Sequence, residues 1–351
     1  MKTRLIPHTL RFKRPAGTSR GVYHDHKVWY VVVSDNAGGG NGERWGIGEC
    51  APLPDLSCDY SEDYEERLQY FCRQLEKEGT LDKEALRPYP SILFGLETAM
   101  RHLQCGSYNL YDTPFSRGEE GIAINGLIWM GDYSYMLAQI EEKLAQGFRC
   151  IKLKIGAIDF EQELALLHYI RSHFSADRLT LRADANGAFA PDDAPDKLQR
   201  LSQLNLHSIE QPIRAGNPQQ MARLCATTPL PIALDEELIG VNDPQQKEEL
   251  LDTIRPQYII LKPTLHGGIS GAGEWIKLAE EKNIGWWVTS ALESNIGLNA
   301  IAQWCATYGN PLPQGLGTGA LYTNNVEMPL EVRGDCLWYA PDGETFLPKM
   351  T

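Results

Sequence analysis

Six charged residues in the middle of the chain have types and spacing that could do chemistry. A lysine pair, Lys152 and Lys154 in Ile-Lys-Leu-Lys-Ile, is followed by three carboxylates, Asp184, Glu210 and Asp235, and then by Lys262. From Lys154 onward the intervals are 30, 26, 25 and 27 residues, and each charge closes a short apolar segment. Buried strands rarely carry charge unless it is paired or holds a metal. Three carboxylates from neighbouring strands would make an oxygen-rich site for a hard divalent cation, Mg²⁺ or, as a substitute, Mn²⁺. Such a cation, bound to a substrate carboxylate, would stabilise the enediolate formed when the adjacent carbon loses its proton. A lysine whose hold on its proton is loosened by neighbouring cations can act as the base. Lys154, nearest its strand end, is the candidate base; Lys152 would neutralise a carboxylate oxygen and Lys262 would face the substrate from the other side. Two other readings compete. The acids could simply pair with the lysines and Arg182, at a desolvation cost, and a buried lysine could be structural or a Schiff-base nucleophile.

A repeat of this length accommodates one strand, one helix and two loops, so successive strands would each end on one charge. Candidate strands end near Asn125, Lys154, Asp184, Glu210, Asp235, Lys262, Ser290 and Thr318, with helices expected at 133–146, 160–174 and 273–282. Eight strands alternating with helices predict an α/β barrel of parallel strands, although no eighth helix follows Thr318. Parity orients the charges. Leu153 and its flanking isoleucines oppose both lysines; Leu179, Leu181 and Ala183 oppose Thr180, Arg182 and Asp184; Ile232 and Leu234 oppose Asp235; Ile259 and Leu261 oppose Lys262. The aliphatics suit outer helices, leaving the charges pointing inward at the carboxyl ends of the strands. His207 is assigned to the outer side and the Trp286–Trp287 pair to the core. Two glycine-rich turns, after His266 and at Gly315-Leu316-Gly317-Thr318-Gly319, offer backbone donors to an anion or are plain turns.

The flanking segments lack this period. Residues 27–34 and 44–50 read as a hairpin, and 59–78 and 91–104 as helices, the second capped by Ser91. Together they predict an α+β domain. The tail, 326–339, is strand-like and is expected to rejoin it. The domain expectation is therefore a capping domain at 1–118, a barrel at 119–320 and a returning segment at 321–351. Within the 351 residues, 46 acids outnumber 33 lysines and arginines for a net charge of −13. That balance argues against nucleic acid or an anionic membrane as partner and favours a small carboxylate substrate met at a local cationic site. No apolar run has the length of a signal sequence or membrane span, and eight scattered cysteines contain no Cys-x-x-Cys pair. Both features predict a cytoplasmic protein with reduced thiols.

The motifs Lys-x-Lys, Arg-Ala-Asp-Ala-Asn, Glu-Gln-Pro, Leu-Asp-Glu-Glu and Leu-Lys-Pro-Thr resemble the muconate-lactonizing subgroup of the enolase superfamily. The likeness extends to Trp-Gly-Ile-Gly-Glu-Cys-Ala-Pro-Leu-Pro and Pro-Ser-Ile-Leu-Phe-Gly-Leu-Glu, which are similar to its capping domain. It implies a modified TIM barrel, (β/α)7β, capped by an α+β domain built from both chain ends. Within the subgroup the chain most resembles the o-succinylbenzoate synthase family, hydro-lyases of menaquinone biosynthesis. That resemblance implies Mg²⁺ on Asp184, Glu210 and Asp235, with Lys154 taking the proton and then assisting hydroxide departure. It also implies that Lys262 stabilises the enediolate by its charge. The stretch from Thr289 and Ser290 to Leu298 is similar to the family's serine-rich segment that contacts the succinyl end, but Thr289 and Ala291 stand where serines are common. Arg182, Gly315 and Leu316 complete the expected substrate contacts. Dipeptide epimerases, a competing reading, carry Asp-x-Asp where this chain has Gly315-Leu316-Gly317. Racemisation of N-acylamino acids and muconate cycloisomerisation are further readings, and a silent barrel would have lost a ligand or lysine that is present here.

Overall fold

The chain begins with a 17-residue strand, Lys2–Thr18 (β1), that runs antiparallel to Gly21–Asp35 (β2), which pairs in turn with Arg44–Cys50 (β3). The structure is a computed structural model and describes residues 1–18, 21–35 and 44–341. The expected hairpin is present, although its tip lies outside the described residues. Buried residues of β2 alternate between two cores: Val28, Tyr30 and Val32 join the core shared with the barrel, while Trp29, Val31 and Val33 pack under the cap helices. That two-sided burial explains an unbroken apolar run in an antiparallel strand. The helices are Tyr64–Glu78 (α1), Lys83–Leu86 (α2) and Pro90–Cys105 (α3). β3 lies so close on α3 that a Cβ at Gly48 would come within 1.9 Å of the Gly95 carbonyl oxygen, which accounts for the Gly-Ile-Gly pattern. Ser91 does not cap α3. Pro90 occupies the first turn, as its fixed φ favours, and Ser91 lies inside the helix, giving its N–H and hydroxyl to Asp59 at 2.8 and 2.6 Å.

The barrel series follows as Ile122–Ala123 (β4), Gly126–Ile128 (β5), Tyr133–Ala145 (α4), Cys150–Lys154 (β6), Phe160–His173 (α5), Thr180–Asp184 (β7), Ala194–Ser202 (α6) and Ser208–Glu210 (β8). It continues with Pro218–Thr227 (α7), Ile232–Leu234 (β9), Pro244–Ile254 (α8), Tyr258–Leu261 (β10), Gly268–Glu281 (α9), Gly285–Val288 (β11) and Asn295–Cys305 (α10). Strands β5 to β11 form one parallel sheet in sequential order. The eighth position is filled by Gln314 and Gly315, which bridge in parallel to Ile124 and Thr289. No helix follows it among the described residues.

Strand parity holds throughout the sheet. Ile151, Leu153, Leu181, Ala183, Ile209, Ile232, Leu234, Ile259 and Leu261 belong to the large core under the outer helices, whereas Ala233, Ile260 and Trp287 form a separate interior cluster. His207 differs from its expected outer placement. Its ring packs on Tyr258 at 4.8 Å and Trp287 at 6.0 Å, at the foot of the barrel interior. The two tryptophans divide accordingly, Trp286 outward and Trp287 inward.

After the barrel the chain does two things. Residues 321–324 return to the cap, with Lys13 N–H on the Leu321 carbonyl, Thr323 N–H on the Arg11 carbonyl and Asn324 bonded to β1. Leu330–Arg333 (β12) and Cys336–Tyr339 (β13) then form a small sheet with β4, at the barrel rather than on the cap sheet. All eight cysteines are free, and no described helix is long and apolar enough to cross a membrane.

Candidate active site

The six charged residues meet at the carboxyl ends of the strands. Ladder register aligns Lys154 with Asp184 and Asp184 with Glu210 across β6, β7 and β8. Asp235 follows β9 and Lys262 follows β10, so the three acids occupy consecutive strands between two lysine-bearing ones. Lys152 Nζ lies 2.9 Å from Asp184 and also contacts Glu210; Lys262 contacts Asp235; Lys154 stands off at 3.8 Å from Asp184. Lys154 instead donates to Asn186 Oδ1 at 3.1 Å, and its ammonium sits 5.4 Å above the Trp129 ring. Asn186 passes the connection on, donating to Glu236 at 3.1 Å.

The charges shift one another strongly. Burial works against the Lys152 and Lys262 ammoniums, but the carboxylates around them prevail and raise both pKa values. Burial likewise opposes ionisation of Asp184, yet Lys152 and Lys154 hold its carboxyl down to about 2. Glu210 goes the other way: burial, reinforced by Asp184 and Asp235, pushes its pKa well up. Burial and Asp235 push Glu236 up to about 7. Lys152 and Lys262 are thus held cationic by the acids around them, as a charge-neutralising role requires.

A cavity of about 720 Å³ opens over this cluster, lined by Lys152, Lys154, Asp184 and Lys262 from the barrel and by Arg14, Tyr23, Leu53 and Leu56 from the cap. Thr289, Ser290 and Gly315 line it too. Gly315 is required there, because a Cβ would fall 2.4 Å from Thr289 Oγ1. Its N–H is committed to the Val288 carbonyl at 2.7 Å. The structure does not bring Arg182 or Leu316 to the cavity. Arg182 lies lower in the barrel, its guanidinium 3.9 Å over the Trp287 ring and one nitrogen donating to the Pro313 carbonyl at 2.8 Å. Leu316 is fully buried in the core. The turn after His266 already has its anion: the first amides of α9, Ile269 and Ser270, donate to Glu97 of α3.

Several cavity residues escaped sequence reasoning. Trp129 lies four residues beyond the expected strand end at Asn125, and the Thr318 hydroxyl, 2.6 Å from that of Ser290, gives no sequence signal. Glu236 and Asn186 stand inside quoted motifs, and their spacing beside Asp235 and Asp184 was the available clue. Arg14 and Tyr23 sit on cap strands whose inward faces cannot be read without the barrel.

Comparison with known proteins is decisive. Residues 135–343 match the model described as enolase C-terminal domain-like, and 38–103 match that described as MenC, N-terminal domain. The o-succinylbenzoate synthase of Desulfotalea psychrophila is 48% identical over 93% of this chain and 96% of its own length. The chain belongs to the o-succinylbenzoate synthase family. A crystal structure described as MenC from Desulfotalea psychrophila superposes with a TM-score of 0.83 at 44% identity, covering 96% of this chain and 99% of that one. The L-Ala-D/L-Glu epimerase of Bacillus subtilis shares the fold, with a TM-score of 0.80 at 21% identity over 97% of each chain.

The enolase superfamily uses a divalent metal, and the donors of this family member fit one in kind. Asp184, Glu210 and Asp235 offer hard oxygens, and Glu210 Oε1 and Asp235 Oδ1 are buried without any hydrogen-bond partner. An unpaired buried carboxylate oxygen is costly and calls for a cation. As placed, no three His, Cys, Asp or Glu among the described residues are grouped closely enough to ligate an ion together; the Lys152 and Lys262 ammoniums stand among the acids instead.

Proposed function

We propose that this chain is an o-succinylbenzoate synthase that dehydrates 2-succinyl-6-hydroxy-2,4-cyclohexadiene-1-carboxylate, with Mg²⁺ at Asp184, Glu210 and Asp235 and Lys154 as the base. The observation that carries the reading is the order of groups around the barrel: a lysine, acids on three consecutive strands and a second lysine, with both lysines and Asp184 lining one cavity. Pairing a lysine base with Mg²⁺ is the general scheme of the enolase superfamily. When bound, the divalent cation supplies positive charge to the substrate carboxylate as the adjacent carbon becomes an anion.

In this reading Lys154 takes the proton from the ring carbon bearing the carboxylate, and the C–H electron pair moves into the enediolate. The electrons then return to form the ring double bond as the C–O bond breaks, and Lys154 returns its proton to the departing hydroxide, releasing water. Lys262, held cationic by burial among acids that outweigh its desolvation, faces the enediolate with a fixed positive charge. Lys152, likewise cationic, meets the carboxylate. Trp129, Leu53 and Leu56 keep water from the reacting face.

The direct test is to incubate the protein with the cyclohexadiene and Mg²⁺ and follow the absorbance of the aromatic product. Its appearance supports the reading; a bound but unconverted substrate overturns it. Because Lys154 and Lys262 share one cavity, α-proton exchange is the second reading, checked with an L-Ala-L-Glu dipeptide in deuterated water. Deuterium incorporation without aromatic product would move the assignment to the epimerases. Free cysteines throughout agree with a cytoplasmic setting.

A further inference from the structure

The cavity has walls from two domains, and a single buried side chain behind it touches both. His26, on β2, is 2% exposed. Its Nδ1 lies 3.0 Å from the Leu292 carbonyl oxygen, in the segment after β11, and its Nε2 lies 3.2 Å from the Pro52 carbonyl oxygen, in the cap loop after β3. Leu292 itself lines the cavity, as does Leu53 next to Pro52. We propose that His26 is a positioning residue that ties the cap, through β2, to the barrel segment at Leu292 and so sets the shape of the substrate cavity.

Three observations beyond the contacts themselves support this role. Leu292 has φ +66°, a left-handed conformation that a branched side chain seldom adopts and that surrounding contacts must hold. The same carbonyl accepts a second bond, from the Tyr322 hydroxyl at 2.6 Å, so two cap-side donors converge on one strained peptide. The residues after it are also tethered: Glu293 accepts the Ala291 N–H at 2.6 Å and a bond from the Thr264 hydroxyl. Both ring nitrogens face carbonyl oxygens, and a neutral ring donates to one of them; with the proton on Nδ1 it holds Leu292 and joins cap strand β2 to the barrel. His26 does not line the cavity and touches none of the lysines or acids assigned to proton transfer. Its effect therefore falls on how substrate is gripped rather than on the chemical step.

This inference rests on the proposed function only for its kinetic readout. The variants are His26→Leu, which removes the bond to Leu292, and His26→Asn, whose amide nitrogen replaces Nδ1 and can hold Leu292. For folded His26→Leu the expected result is a KM raised roughly tenfold or more with kcat within about threefold, and for His26→Asn a KM within about threefold of the parent. Hydrogen exchange without substrate gives an independent reading: in His26→Leu the amides of Leu53 and Ser294, in two different domains, exchange faster together. A folded His26→Leu with parental KM and parental exchange at both amides overturns the proposal, as does His26→Asn behaving like His26→Leu. If the parent converts no substrate, the functional reading fails while the exchange experiment still decides this one.

Discussion

Glu49 closes the Trp-Gly-Ile-Gly-Glu strand of the cap and is wholly buried against the start of α10. One oxygen accepts the Ser294 N–H at 2.8 Å; the other accepts the Ser294 hydroxyl at 2.5 Å and the Gly297 N–H at 2.8 Å. Burial nevertheless dominates, and with the nearby Glu293 it raises the carboxyl pKa from 4.5 to about 7. A folded pKa above the unfolded one means that the native state binds the proton more tightly. The stability contributed is therefore fully present below about pH 4.5 and is lost as pH rises through about 7. Integrating between those values, the loss grows by about 2–3 kcal/mol from pH 5 to pH 8. Glu49→Gln abolishes this titration, and all other groups are common to both proteins. Urea unfolding of the parent and Glu49→Gln at pH 5 and pH 8 should then give a stability difference that shifts by about 2–3 kcal/mol in favour of the variant at the higher pH. The amide can accept from fewer donors, an offset of about 1–2 kcal/mol that is the same at both pH values and cancels. A shift below about 1 kcal/mol, or one of opposite sign, would refute the claim that desolvation outweighs the three hydrogen bonds.

Two further outcomes test the site. Asp235→Asn removes a charge beside the unpaired Oδ1 and should weaken Mg²⁺ at least about tenfold, costing about 1.4 kcal/mol of binding; the check is the Mg²⁺-induced rise in Tm, which for the parent at a hundredfold excess over Kd corresponds to about 2.7 kcal/mol. An unchanged Mg²⁺ response would count against the acid triad. Gly315→Ala pushes a methyl toward Thr289 Oγ1, 2.4 Å away, and should raise KM while lowering stability by about 1–3 kcal/mol; parental KM and Tm together would show that the close approach is easily relieved.

The charge pattern was readable because a barrel strand alternates strictly and each charge stood alone at a strand end. Parity put Lys152, Lys154, Asp184, Asp235 and Lys262 on one inward face, and the even spacing added Glu210. The same rule misled for Arg182, which shares that face but lies one pleat lower, where it stacks on Trp287. His207 precedes its strand, so the alternation did not reach it. Strand β1 went unread because residues 2–18 alternate weakly and carry six Lys, Arg and His residues, and their pairing depends on β2. The cap side of the cavity, from Arg14 to Leu56, depends on how two domains meet, which no local periodicity encodes. Trp129 lies beyond the expected strand end near Asn125 because β5 runs to Ile128.

The central claim is that Lys154 moves the proton at a site assembled by the acids around it. Its most direct measurement is aromatic-product formation by purified Lys154→Ala with saturating substrate and Mg²⁺, alongside Mg²⁺ binding by the same variant. The account predicts a loss of at least about a hundredfold in kcat, the low end for removing a positioned general base, with Mg²⁺ affinity largely retained. Turnover within a few fold of the parent would contradict it.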